Sequence, residues 1–147
     1  MSDEVKPKDS TFPVDWSSVR RVLIVRLRSI GDTVLVTPFL HALREFLPEA
    51  QIDVLLEDWV APLLDGYEDI DRTIAIDCKN LASRLRVGRN LRRARYDVAF
   101  NLHAGTTAAL LVRASGAAYR IGYDHARLKH LHNIIAPPAH VLWGTEI

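Results

Sequence analysis

A single cysteine in 147 residues excludes an intrachain disulfide. Cys78 therefore fits a reducing compartment, and as a small residue at a strand end it reads as structural and not as a nucleophile. No apolar run approaches the ~20 residues that span a bilayer. The opening MSDEVKPKDSTFPVDWSS lacks the basic-then-apolar order of a secretory signal. It is polar and carries prolines, so residues 1–18 are expected to form a flexible N-terminal tail. An excess of one charge is missing too: 19 Lys and Arg against 18 Asp and Glu leave a net +1, a balance that argues neither for nor against nucleic acid across the whole surface. No nucleic-acid partner is expected. What remains is a cytoplasmic chain, 48% hydrophobic, sized for one domain with a real core.

Several kinds of site lack their residues. A dinucleotide site wants G-x-G-x-x-G after the first strand, and only Gly31 is there. A phosphoacceptor receiver domain needs an acidic cluster beside that strand, where this chain has Arg26 and Arg28. Glu57, Asp58, Asp77 and Lys79 end strands but do not supply it. His125, His130 and His132 have no fixed metal-ligand spacing, so no metal site is expected.

What is present is an alternation of short apolar runs with amphipathic stretches, the sign of βα units. Strands are predicted at 21–27, 52–57, 73–77, 96–102 and 119–123. Helices fall between them. The first, after Asp32, should kink or restart near Thr37-Pro38. A short one over 59–66 should stop at Gly66. The one in 81–95 has Leu81, Leu85, Gly88 and Leu91 assigned to one face, with arginines over the rest. The one in 106–115 should be well buried. The fold expected is a Rossmann-like α/β domain over 19–123, a parallel sheet with helices on both faces. Residues 124–147 read as loop-rich, with Trp143 exposed or loosely packed and the chain interrupted before a further domain.

In such a sheet ligands bind outside the carboxyl ends of the strands, where strand order reverses. With the order 3-2-1-4-5 the reversal lies between strands one and four, so the loops 28–32 and 101–107 face one crevice. The loop to Arg127 forms its far wall, and Asp32 and His103 should approach in space. Ser29 and Asp32 have the S-x-x-D spacing of a capping box. Equally, a carboxylate in the first helical turn, favoured by the dipole, could take a proton from a sugar hydroxyl. Gly31 would let the backbone approach a ligand. His103 reads either as a structural hydrogen-bonding residue or as a catalyst. Thr106 and Thr107 either cap the helix or offer N–H groups to an anion. The six arginines between Arg84 and Arg95 read as a solvated face that could also meet anionic lipid headgroups or sugar phosphates.

Two stretches, RRVLIVRLRSIGDTVLVTPFLHALREFLPEAQIDVLLE (20–57) and YDVAFNLHAGTTAALLVRASGAAYRIGY (96–123), together resemble the N-terminal half of the ADP-heptose:lipopolysaccharide heptosyltransferases, glycosyltransferase family 9. The resemblance implies a GT-B glycosyltransferase, two Rossmann-like domains with the active site between them. The acceptor, a lipid A–core oligosaccharide, would lie on the domain represented here, against Arg28, Ser29, Gly31, His103, Thr106, Thr107 and Arg127. Asp32 in the S-x-G-D turn would be the general base of an inverting transfer that uses no metal and no other cofactor. The nucleotide-sugar donor, ADP-heptose, would be bound mainly by a C-terminal domain missing from this chain, leaving these 147 residues inactive alone. The family often carries a basic residue where Thr107 stands. A peripheral position at the inner face of the inner membrane is also implied. The alternative from another class is a stand-alone, non-catalytic module holding anionic saccharide or lipid-linked sugar.

Overall fold

The computed structural model describes residues 14–103, 105–123 and 126–136. Six strands, β1 (Arg21–Leu27), β2 (Gln51–Glu57), β3 (Arg72–Ile76), β4 (Val98–Asn101), β5 (Tyr119–Tyr123) and β6 (Ile134–Ala136), form one sheet in the order β3-β2-β1-β4-β5-β6. Every pairing is parallel. The α-helices are α1 (Ile30–Phe46), α2 (Leu81–Ala94) and α3 (Thr106–Ala114).

β1 organises both layers through its two-residue alternation. Val22 and Ile24 pack with Leu40 and Leu43 of α1. Leu23 and Val25 pack on the other side with Val87 and Leu91 of α2 and with Ala108, Leu111 and Val112 of α3. All four of these β1 side chains are fully buried, which is why the strand reads as an unbroken apolar run. Each such burial contributes on the order of 1.5–3 kcal/mol relative to exposure. The result is the Rossmann-like α/β sheet expected, with β1 central and the order reversing between β1 and β4.

Four local features differ from the sequence reading. α1 continues through Pro38 as one helix, so of the expected kink or restart the restart is absent. Proline has no N–H to give the Val34 carbonyl, and the Thr37 hydroxyl donates to that carbonyl instead, at 2.7 Å. The segment 59–66 is only a 3-10 turn at Ala61–Leu64, although Gly66 does take a left-handed φ of +74°. In α2 the face toward the sheet is Ser83, Val87 and Leu91, while Leu81 and Leu85 are exposed. Leu91, six residues beyond Leu85 at about 100° each, cannot share its face. Finally, β6 extends the sheet into the segment expected to be loop-rich.

Residues 14–18 also pack against the domain. Val14 is buried, and Trp16 stacks on Phe100 at 6.3 Å and meets the edge of Phe46 at 5.5 Å. Residues 1–13 and Trp143 lie outside the described residues. Tyr96, expected inside the fourth strand, sits just before it and donates its hydroxyl to Asp53 at 2.6 Å. Asp53 is wholly buried and also pairs with Arg72 at 3.1 Å, so its charge is compensated.

Candidate functional site

β1 ends irregularly. Its register with β2 shifts between Val25 and Leu27, and Leu27 and Ser29 take positive φ angles of +64° and +75°. Two non-glycine residues so close together in this region store backbone strain. The turn they make aims the start of α1 across the carboxyl edge. Ser29 is the N-cap: its hydroxyl accepts from the Asp32 N–H at 3.4 Å, and its carbonyl accepts from the Thr33 N–H at 3.1 Å.

No bond from the Asp32 carboxylate back to the cap backbone is found, so the reciprocal half of a capping box is not formed. The carboxylate instead pairs with the Arg26 guanidinium, Nη2 to Oδ2 at 2.6 Å, and its side chain is 51% exposed. The other end of the same guanidinium, Nη1, donates to the Leu102 carbonyl in the loop after β4. The Leu102 N–H bonds the Val25 carbonyl at 2.9 Å. Arg26 thus ties the two crevice loops together and orients Asp32 from below. Sequence reading used Arg26 only to reject a receiver domain, because nothing in RVLIVRL shows which loops lie above the strand.

Arg28 lies beside this pair, exposed, with Nε 3.3 Å from Glu57 at the end of β2. Glu57 also accepts from the Trp59 indole at 2.6 Å. Cys78 hydrogen-bonds the same carboxylate; burial first, and then that bond, push its thiol up to about 11. A thiol so protonated is no nucleophile at neutral pH, in agreement with the structural reading of Cys78.

His103 is half-buried at the end of β4, its N–H held by Asn101 Oδ1 at 3.0 Å. Burial, then the charges of Arg26 and Arg28, lower its pKa against the opposite pull of Glu57 and Asp32. Its imidazole is therefore neutral at pH 7. Asp32, Arg28 and His103 do share one electrostatic neighbourhood. The bond runs on from Asn101, whose Nδ2 lies 3.0 Å from His132 Nε2, while His132 Nδ1 lies 3.2 Å from the Lys129 carbonyl. A neutral His132 with its proton on Nδ1 satisfies every link. Sequence reading placed Asn101 only as the start of a crevice loop and weighed His132 only as a metal ligand, so it missed the bond between them, though an Asn inside a buried strand end is a visible signal.

The remaining candidates make none of these contacts. Gly105, not either threonine, is the N-cap of α3, and no side chain caps it. Thr106 is exposed there, while Thr107 faces the groove between α2 and α3. Arg127 is exposed in the turn between β5 and β6. Gly31 is open, with nothing within 4 Å of where a Cβ would be. An apolar pocket of about 360 Å³ adjoins the crevice on the α1 side, lined by Leu35, Phe39, Phe100, Leu102 and Tyr123.

The sequence matches no protein-family model. It is 31% identical over 105 residues to lipopolysaccharide heptosyltransferase 3 of Escherichia coli, an overlap covering 67% of this chain and 31% of that one. Among solved structures, the E. coli ADP-heptose lipopolysaccharide heptosyltransferase II superposes with a TM-score of 0.71 at 25% identity, over 82% of this chain and 36% of the other. A glycosyltransferase family 9 protein from Veillonella parvula superposes with a TM-score of 0.75 at 21% identity, over 86% and 37%. The chain therefore spans about a third of the length of the relatives it matches.

Proposed function

We propose that this chain, which belongs to the lipopolysaccharide heptosyltransferase family (glycosyltransferase family 9), is the acceptor-binding domain of a GT-B enzyme that transfers heptose from ADP-heptose to a lipopolysaccharide inner core. The observation that carries the reading is the Asp32 carboxylate, half-exposed at the switch point with one oxygen on Arg26 and the other open to a ligand. An acceptor hydroxyl bound above Gly31 would give its proton to the free oxygen as it attacks the sugar carbon and the nucleoside diphosphate leaves. Direct displacement inverts that carbon. Arg28 and the neutral His103 would flank the acceptor, Arg28 meeting its anionic groups and His103 its hydroxyls. On this reading the donor sits on a second domain across the crevice, and the 147 residues alone do not catalyse transfer.

The test compares Asp32→Asn with Ser29→Ala when the donor-binding domain is joined to the chain or added as a separate polypeptide. Asp32→Asn keeps the size of the side chain and removes the proton acceptor. Transfer should fall by about a hundredfold or more at unchanged acceptor binding and melting temperature. Ser29→Ala should cost about 1 kcal/mol of stability as a lost N-cap, with a smaller change in rate. An Asp32→Asn protein that transfers at the normal rate would remove the base assignment. A chain that binds anionic saccharide but supports no transfer with any donor domain would be a binding module.

A further inference from the structure

The face made by α2 and α3 has a composition unlike the rest of the molecule. Six arginines fall between Arg84 and Arg95, and Arg113 adds a seventh from α3. No Asp or Glu occurs in residues 80–96 or 98–123. The ion pairs of the described residues involve Arg26, Arg28, His41, Arg44 and Arg72, and none of the arginines on these two helices. Ordinary solvated helix faces mix both signs; this one carries a single sign.

Between the arginines lie leucines that turn away from the core. Leu81, Leu85 and Leu110 are 66%, 63% and 45% exposed. They line a groove of about 420 Å³ between the helices, with Arg84, Arg89 and Arg92 along it. The two helices approach closely at Gly88, where a Cβ would be 3.7 Å from that of Ala114. The three leucines belong to the first two turns of their helices, the turns nearest the carboxyl edge of the sheet. Exposed leucines inside a ring of unpaired guanidinium groups are the two components that bind an anionic lipid interface: apolar side chains entering the headgroup layer and cations on phosphate.

We propose that the α2–α3 face docks the protein onto an anionic phospholipid bilayer, with Leu81, Leu85 and Leu110 inserted and the α2 arginines on lipid phosphates. Docking this way turns the carboxyl edge, where Asp32 lies, toward the bilayer surface. The proposal does not depend on glycosyl transfer. No helix among the described residues is long and apolar enough to cross a membrane.

The experiment is co-sedimentation of the 147-residue chain with vesicles of phosphatidylcholine alone or with added phosphatidylglycerol, at low and high salt. Binding is expected only to the anionic vesicles, and it should weaken as salt screens the charges. Arg89→Gln/Arg92→Gln should lower partitioning about thirtyfold, at roughly 1 kcal/mol per basic residue. Leu81→Ser/Leu85→Ser should lower it roughly tenfold through lost apolar burial. All four side chains are exposed, so melting temperatures should stay within a degree or two, which separates lost docking from lost folding. Equal binding to neutral vesicles, no binding to either, or undiminished binding by both variants would overturn the proposal. A chain that ignores vesicles but dimerises through this face, becoming monomeric in the leucine variant, would assign the groove to a second copy.

Discussion

Replacing Arg26 by Gln probes the tie between the two crevice loops. The guanidinium is 15% exposed, pairs with Asp32 at 2.6 Å and donates to the Leu102 carbonyl, while its Nε is buried without a partner. A glutamine is shorter and neutral and cannot span both contacts. Losing the charged hydrogen bond to the carbonyl costs about 1.5–3 kcal/mol. Losing the ion pair costs about 0–1 kcal/mol, because water takes over the half-exposed carboxylate. Removing an unpaired buried donor returns about 1 kcal/mol of that. The net expectation is destabilisation by about 0.5–3 kcal/mol, a fall in melting temperature of about 2–9 °C for a chain this size. Arg26 touches the base and not the substrate in this account, so it is a positioning residue. With the donor domain supplied, kcat should fall about tenfold or more through lost orientation of Asp32, with the KM for acceptor little changed. Arg26→Lys, which keeps the charge without the planar fork, should recover part of the stability and little of the kcat. A variant with wild-type melting and wild-type kcat would refute the reasoning.

Tyr96→Phe removes the hydroxyl that donates to buried Asp53 at 2.6 Å. It should lower the unfolding free energy in urea by about 1.5–3 kcal/mol, and an unchanged midpoint would contradict it. Acidification tests His132, whose pKa is lowered first by burial and further by Arg120 and His130, against the Lys129 carbonyl. The unfolded chain then binds more protons as pH falls through about 6.5, so this stabilisation is complete above that pH and is lost below it. His41 has the opposite slope, because its hydrogen bond to Asp69 raises its pKa. The difference between wild type and His132→Gln isolates the effect: between pH 7.5 and 5.5 the wild type should lose more melting temperature than the variant, and equal losses would contradict it.

What could be read from sequence followed the physics of each element. β1 and β5 were legible to the residue because uninterrupted or β-rich runs end at polar turns. β6 was not: three residues, Ile134–Ala136, show no period, and only pairing with β5 makes them a strand. The inner face of α2 was misassigned because leucines were counted and angles were not; Val87 and Ser83 face the sheet while larger leucines face out. At the site, S-x-x-D correctly signalled the Ser29 cap. The partner of Asp32 could not be seen, since Arg26 approaches it only once β1 bulges and the β4 loop closes over it. Thr106 and Thr107 look like caps in sequence, but Gly105 takes the extended backbone of the N-cap and leaves them inside the first turn.

The most direct test of the account is an amide-shift titration of the ¹⁵N-labelled 147-residue chain, with inner-core oligosaccharide freed of lipid in one series and ADP-heptose in the other. The acceptor assignment predicts that the oligosaccharide moves the signals of residues 28–32 and of Leu102 and His103 in a saturable way, while ADP-heptose leaves them in place. Saturable shifts of the same residues by ADP-heptose, with none from the oligosaccharide, would contradict it.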